Sequence, residues 1–350
     1  MGAASTFERR DFLKLACAGT LVLGAHGSKV LADEKPGAKP LRGIFPTAQT
    51  PFTDANKLDL DALVKEVGFV DRCGAHGFVW PQIGSEWITL TDRERLDGAE
   101  AIVSTGKGLR PAIVIGVQSP QVTTAVKYAK QAARLGTDAI ISLPPSEQSD
   151  AKTDLEYYQT IGKATELPLF VQSAGNMTVN LIIELYKTIP NFRHVKDEAG
   201  NQLLRVGPLR ERSSDQLKVF SGGHGRDLID EMRRGFSGSM PAASFVDLYA
   251  QTWDLWHEGK YDKAMAMQGR TLLLLTEMMS HGPEAMKYIL CLRGVFKTYG
   301  IRKQQTAAFS SATKLATGNN KEMHLDDEGK QALRETLDYL KPYLRAQETD

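Results

Sequence analysis

The chain has 350 residues, 42% of them hydrophobic and 24% charged, enough to bury a sizeable core as one large domain or two small ones. Lys and Arg number 43 against 42 Asp and Glu, a formal net charge of +1. That balance favours neither nucleic acid nor an anionic membrane as a partner, and leaves an ordinary soluble globular protein as the class.

The first stretch in chain order reads as a targeting segment. Glu8-Arg9-Arg10-Asp11-Phe12-Leu13-Lys14 precedes a weakly apolar, uncharged run over residues 15–25. Paired arginines before such a run, with Phe-Leu-Lys behind them, are the twin-arginine form of a bacterial export signal; a basic amphipathic helix is the alternative. The run falls short of the roughly 20 apolar residues that a membrane span needs. Val30-Leu31-Ala32 offers small residues for cleavage, so residues 1–32 are read as a signal peptide and the mature chain as starting near Asp33. The expected location is the periplasm, with no membrane attachment once the signal is removed. Of three cysteines, Cys17 lies in the signal, and Cys73 and Cys291 stand far apart in helix-like contexts. They read as buried apolar residues rather than a disulfide framework, and with neither C-x-x-C nor H-E-x-x-H in the chain no metal site is expected.

From residue 42 onward short apolar extended runs alternate with amphipathic stretches. The runs cover residues 43–48, 77–82, 111–117, 138–143, 168–172, 192–196, 217–221 and 237–242. Between them lie helical stretches at 60–72, 91–105, 120–135, 154–165, 178–188, 202–212 and 226–235. In the first of these Leu60, Leu63, Val64, Val67 and Val70 keep apolar positions on one side. Eight such strands, each a continuous apolar run, predict a (β/α)8 TIM barrel over residues 33–244, because barrel strands are buried on both faces. An open doubly wound sheet is the alternative, but no Gly-rich phosphate fingerprint follows the first strand. Beyond it the pattern turns helical, at 245–257, 261–281, 283–299 and 325–346, a C-terminal helical extension spanning 245–350. The polar stretch 303–321 reads as a loop with a short helix.

Active sites of such barrels form at the C-terminal ends of the strands. Those ends carry Thr47-Ala48-Gln49-Thr50-Pro51-Phe52, Gln82-Ile83-Gly84-Ser85-Glu86, Pro144-Pro145-Ser146, Gln172-Ser173-Ala174, Lys196-Asp197-Glu198, Gly222-Gly223-His224 and Pro241-Ala242-Ala243-Ser244. Lys196 is the one lysine among them. An amine ringed by barrel wall is partly desolvated, which favours its neutral, nucleophilic form, and its natural use is a Schiff base with a carbonyl substrate.

The chain from about Arg42 to Tyr299 resembles the class I aldolases and lyases that include dihydrodipicolinate synthase and N-acetylneuraminate lyase. Thr50-Pro51-Phe52 resembles that family's Thr-Pro-Phe after strand one, and Gly84-Ser85-Glu86 with Thr89-Leu90-Thr91 and Glu94-Arg95 its Gly-Thr-Thr-Gly-Glu stretch. Val195-Lys196-Asp197 with Gly200-Asn201 looks like its lysine strand, and Ser221-Gly222-Gly223 with Gly238-Ser239 its glycine-rich ends of strands seven and eight. The resemblance implies a cofactor-free enzyme that joins a pyruvate-type 2-oxo acid to Lys196 as an imine, whose electron sink allows C–C bonds to break or form, or water to be lost. It also implies a carboxylate cradle from the backbone of Gly84 and Ser85, with the Ser85 hydroxyl in reach, and a homotetramer or dimer. Thr47, Gln172 and Gly222 complete the expected substrate-binding rim, Gln172 either orienting a substrate hydroxyl or satisfying strand-end backbone.

Departures from the family are as informative. Where it has a tyrosine at the end of strand five, in a relay with a threonine and a second tyrosine, this chain has Val171, Ile83 and Ser146; where many members place an arginine for a distal carboxylate, it has Asn176. The dihydrodipicolinate reaction itself is therefore not expected, and proton transfer must be rerouted. Glu198 is the first candidate, able to stabilise the iminium or shuttle protons, with a plain salt bridge to Lys196 as the alternative. His224 is the second, being a side chain that titrates near neutrality. Asp197 and Glu86 follow, Glu86 with a structural hydrogen-bonding role as its first reading. Trp80 and Trp87 are expected to pack at a subunit contact. Two functions compete: an exported lyase, aldolase or dehydratase, for a sugar-derived or aromatic 2-oxo acid, and a barrel that binds such an acid without turning it over.

Overall fold

A computed structural model describes residues 38–302 and 325–345. The predicted export segment, Cys17, the cleavage region near Asp33 and the stretch 303–321 lie outside the described residues. Strands and helices alternate as β1 (Gly43–Ile44), α1 (Leu60–Arg72), β2 (Gly77–Trp80), α2 (Asp92–Gly106), β3 (Ala112–Gly116), α3 (Val122–Leu135), β4 (Ala139–Ser142) and α4 (Ala151–Gly162). Then come β5 (Leu169–Ser173), α5 (Val179–Thr188), β6 (Phe192–Asp197), α6 (Gln202–Arg212), β7 (Lys218–Ser221), α7 (Leu228–Arg233) and β8 (Gly238–Ser239). The helices α8 (Val246–His257), α9 (Tyr261–Ser280), α10 (Pro283–Leu292) and α11 (Asp327–Leu340) follow.

All eight strands are parallel, in the order β1-β8-β7-β6-β5-β4-β3-β2. The β1–β2 seam closes the ring without a regular ladder, because Pro46 has no N–H to give. Instead His76 N–H bonds to Ile44 O at 2.9 Å, Val79 N–H to Pro46 O at 3.0 Å and Ala48 N–H to Val79 O at 3.0 Å. Thr47 bridges both Val79 and Ala242. The run predicted as strand one thus pairs along its length although its regular part is two residues long.

Alternation of side chains across the wall makes two cores. Leu63, Val67, Phe69, Ile140, Val171 and Val195 belong to the large one between sheet and helices. Phe45, Val79, Val114, Ile141, Phe170, Phe220 and Met240 fill the barrel interior. Phe220 meets Phe45 and Phe170 edge-on, each with 5.2 Å between ring centroids. His194 stacks on Phe170 at 4.4 Å, and its burial there pulls its ionisation down to about 3, so it is a neutral part of the packing. The rings fit because glycines face them: a Cβ on Gly77 would stand 2.2 Å from Phe45 Cδ1, and one on Gly238 2.3 Å from Phe220 Cε1.

One irregularity sets the phase of β6. Leu169 pairs with Phe192 but Phe170 with His194, so Arg193 is an extra residue, exposed on the outside. After this bulge His194 and Lys196 face inward while Val195 and Asp197 face the helices.

The helices start where the sequence supplies caps. Side chains of Asp59, Thr91, Asp150, Thr178 and Asn201 each accept from a first-turn N–H, and Thr91 with Glu94 makes a capping box. The stretch predicted as one helix over 283–299 ends early, at Leu292. Gly294 has a φ of +66°, and the N–H of Val295 reaches back to Leu290 O at 2.8 Å, a C-terminal cap that reverses the chain. Cys73 and Cys291 are free thiols.

At Gly238 an added Cβ would also lie 2.2 Å from the Gly43 carbonyl oxygen, which is barrel backbone and cannot yield. Gly238→Ala is expected to lower the unfolding free energy by about 2 kcal/mol, read as a lower urea midpoint at unchanged slope. An unshifted midpoint would show that the β1–β8 seam is looser than described.

Candidate functional site

Lys196 projects into the C-terminal mouth of the barrel and is 5% exposed. Two residues on, the same face of the chain presents Glu198, whose Oε1 stands 2.8 Å from Lys196 Nζ. From the neighbouring strand Gln172, in register with Lys196, donates through Nε2 to the other carboxylate oxygen at 2.6 Å. The carboxylate lies directly against the turn after β7, where a Cβ on Gly222 would meet Glu198 Cγ at 2.0 Å and Oε1 at 2.2 Å. Glycine at 222 is therefore the condition for the Lys196–Glu198–Gln172 array.

His224 follows in that turn with a φ of +57°, a conformation uncommon for any residue but glycine. The residue is half-buried. Burial lowers its ionisation, the Glu198 carboxylate opposes this, and the Lys196 and Arg226 charges add to it. The Gln268 amide holds the far side of the turn through the Gly225 and Arg226 carbonyls, at 2.9 and 3.1 Å. Of the predicted site residues the structure brings together Lys196, Glu198, Gln172, Gly222 and His224.

Asp197 does not join them. It faces the helices, accepts the Ser173 hydroxyl, and pairs with Arg205 Nε at 2.8 Å, while Arg205 also holds the Met177 carbonyl at 3.0 Å. The acid next to the lysine in sequence fastens β6 to α6, and is removed as a proton carrier.

The turn after β2 corrects a second expectation. Ser85 is wholly buried, its hydroxyl donates to Ala48 O at 2.5 Å and accepts the Gln82 N–H at 2.9 Å, and its own N–H is bonded to Gln82 O. Ser85 is thus engaged in shaping the turn and has no donor to offer a ligand. The open donors belong to Ile83 and Gly84, the first residues of the 3₁₀ turn, ahead of its first internal bond. Glu86, at φ +55°, pairs with the buried Lys287 and accepts the Arg302 N–H at 2.7 Å; Arg302 grips both oxygens of Glu94. Its role is the structural one. Trp80 is not a subunit contact: it is fully buried, lies over Gly98 of α2, and donates Nε1–H to Thr50 Oγ1 at 3.0 Å. Trp87 packs with Leu143 and Ala174, forming with Ile83 and Ile88 an apolar wall at the mouth.

Among the described residues neither tyrosine of α4 restores the missing phenol. Val171 points to the helices, and the inward residue at the end of β5 is Gln172. Ser146 Oγ accepts Gln148 N–H within its own loop, and Asn176 is exposed. Tyr157 and Tyr158 of α4 donate to Ser119 O and Ser142 O, both at 3.0 Å, in the outer layer. What the rim offers instead are neutral oxygens: Thr47 Oγ1, Gln82 Oε1 and Gln172 Oε1 are buried and without a hydrogen-bond partner. Among the described residues no group of three or more His, Cys, Asp or Glu is placed to hold a metal ion.

The model of the Dihydrodipicolinate synthetase family matches residues 40–314. L-2-keto-3-deoxyarabonate dehydratase of Azospirillum brasilense is 26% identical over 235 residues, covering 64% of this chain and 75% of that protein. The 4-hydroxy-tetrahydrodipicolinate synthase of Rhizobium meliloti (strain 1021) is 25% identical over 283 residues, 79% of this chain and 95% of the other. In fold the chain is similar to YagE, a prophage protein of the dihydrodipicolinic acid synthase family from E. coli K12 solved in complex with pyruvate. That likeness has a TM-score of 0.73 at 17% identity and covers 86% of this chain and 99% of that one.

Behind the rim lies an acid that sequence reasoning missed. Glu231 falls three residues after Leu228 on the inner stripe of α7, the one signal that could have marked it. It accepts the Ser221 hydroxyl, and Ser221 Oγ accepts from Gln202 Nε2 and from Gly223 N–H, both at 3.0 Å. Glu231 thus holds the turn that carries Gly222 and His224. Burial pushes its carboxyl up to about 7, against the Ser221 and Ser239 hydroxyls and with the Asp227 and Asp230 charges. In the unfolded chain it ionises near 4.3, so as the pH rises the unfolded state loses its proton first. Stability is then full below about pH 4.3, falls by roughly 4 kcal/mol up to about pH 7, and is level above. Glu231→Gln is expected to flatten this part of the profile, seen in unfolding free energies measured at intervals across that window. An identical slope in variant and wild type would remove Glu231 as its source.

Proposed function

The chain belongs to the dihydrodipicolinate synthetase family, and from that premise we propose that it is a Schiff-base-forming lyase acting on a pyruvate-type 2-oxo acid through Lys196. The observation that carries the reading is the contact of Lys196 with Glu198, fixed from the other side by Gln172. Glu198 takes the ammonium proton, and the freed amine attacks the C2 carbonyl. Glu198 returns that proton to the carbinolamine hydroxyl, which leaves as water and gives a protonated imine that draws electrons from the neighbouring carbons. The substrate carboxylate docks on the Ile83 and Gly84 N–H groups. Glu198, at the point where protons are exchanged, replaces the phenol of the family relay.

The substitution of Gln172 and Glu198 for a phenol, and of exposed Asn176 for an arginine, supports a substrate other than that of a dihydrodipicolinate synthase. The relative from Azospirillum brasilense is named for a deoxysugar-derived 2-oxo acid, and the neutral oxygens of Thr47, Gln82 and Gln172 suit such a hydroxylated chain. No organic cofactor or metal enters this scheme, and the family resemblance favours a homo-oligomer.

Borohydride reduction in the presence of pyruvate is expected to leave a covalent adduct on Lys196, absent in Lys196→Ala. Glu198→Gln is expected to form the adduct more slowly without losing it, while turnover of its substrate falls by about 10²- to 10⁴-fold. A lysine left unmodified by a panel of 2-oxo acids would end the proposal. A barrel that binds an oxo acid without turnover is the second reading, favoured by the absent phenol; any turnover abolished in Lys196→Ala excludes it.

The arginine pair Arg9-Arg10 ahead of the uncharged run at 15–25 supports export by the twin-arginine route to the periplasm. Replacing both by lysine is expected to leave the precursor in the cytoplasm on fractionation, whereas unchanged periplasmic recovery would count against that route.

A further inference from the structure

Gln172 is the rim residue whose two ends are chemically divided. Its Nε2 donates to Glu198 Oε2 at 2.6 Å, and its Oε1 is buried with no hydrogen-bond partner. The residue is wholly buried, inward on β5 and in register with Lys196. An ionised carboxylate only accepts, so the amide cannot turn its oxygen toward Glu198; the charge of Glu198 fixes which end of Gln172 is left open. An unpaired acceptor in such a place carries a desolvation penalty that a donor arriving with the substrate removes.

A carbon chain joined to Lys196 Nζ at C2 has C3 and C4 next along it. Adjacent strands lie about 4.8 Å apart, a span comparable with the few bonds from the imine nitrogen to an oxygen on C4. We infer that Gln172 Oε1 accepts the hydrogen of a C4 hydroxyl on the imine-bound substrate, and that the site thereby performs dehydration of a 4-hydroxy-2-oxo acid rather than aldol cleavage. The inference rests on the Schiff-base reading above and deepens it.

The preference follows from where the protons must go. Aldol cleavage breaks C3–C4 and needs a base to remove the hydroxyl proton, and an amide oxygen is no such base. Elimination needs the opposite. Glu198 takes a proton from C3, the C–H electron pair forms the enamine and neutralises the iminium, and the enamine pair then expels the C4 oxygen. With its hydrogen turned to Gln172, that oxygen presents a lone pair to the proton Glu198 has just taken, and leaves as water. Glu198 ends as it began, no oxidant or reductant is needed, and hydrolysis of the conjugated imine frees the product and Lys196. The apolar wall of Trp87, Leu143 and Ala174 keeps bulk water from competing.

The test uses the full-length protein with a five-carbon 4-hydroxy-2-oxo acid and its analogue lacking the 4-hydroxyl. Wild type is expected to trap the hydroxy acid on Lys196 at least about tenfold faster than the analogue, and to release a product that keeps five carbons and has lost water, followed by NMR. In Gln172→Met the trapping ratio falls to near one and dehydration drops by a factor of about ten or more, while Gln172→Asn, with the same groups on a shorter stem, recovers part of both. Matched unfolding midpoints show that the variants are folded. Release of pyruvate and an aldehyde as the main route in wild type, or a ratio unmoved in Gln172→Met, overturns the inference and leaves the Schiff-base lyase standing. No adduct with either acid overturns both.

Discussion

A side chain on the wall of a closed parallel barrel has two places to go, the filled interior or the layer of helices, and neighbours in sequence are sent to opposite sides. On β6 that constraint separates Lys196 from Asp197 and unites it with Glu198, two residues on. The lysine and its acid then share a mouth in which each is the other's partner. Removing one member of a buried pair of this kind leaves a charge without compensation, at a cost of about 3–5 kcal/mol, so structure and chemistry are held by the same contact. Lys196 is nearly closed off while Glu198 keeps part of its side chain in the mouth, which is the arrangement a proton carrier requires.

The surrounding layers explain why the array holds its geometry. Gln172 fixes the carboxylate from β5, Gly222 gives it room on β7, and Asp197 with Arg205 clamps the same strand from outside. On the opposite side of the mouth the turn after β2 is tied down by the Lys287 side chain and the Arg302 backbone N–H, groups that come from far along the chain. The helices beyond the barrel therefore do more than cover it. They fix Glu86, the residue that ends the turn of Ile83, Gly84 and Ser85.

Much of this was legible in the sequence. The eight apolar runs, the amphipathic stretches between them and the lone lysine at a strand end lead to the barrel and to Lys196, because burial on both faces and helical periodicity are local properties. Glu198 and Gly222 were also reachable, one by its spacing of two from the lysine and the other by its place after a strand. Ser85, Trp80 and Val171 were misread for one shared reason: the direction of a side chain was assumed from its place in the chain, toward the site for Ser85 and Val171 and toward a subunit contact for Trp80. Ser85 turns to the Ala48 carbonyl, Trp80 to Thr50 and α2, and Val171 to the helices, and Gln172 takes the position toward the lysine. Glu231 was invisible for the converse reason, since an acid beside Asp230 on a short helix looks like a solvated charge until the strands behind it are in place.

By itself the sequence determined the kind of fold, the order of its elements and the strand end that carries the lone lysine. Which of the two acids behind that lysine stands against it was decided only in three dimensions. The bulge at Arg193 resets the alternation of β6, and the pairing of β5 with β6 then sets Gln172 beside Lys196. Hydrophobic periodicity reports that a strand is buried; the face each residue takes depends on register with neighbouring strands, which is a non-local property of the closed ring.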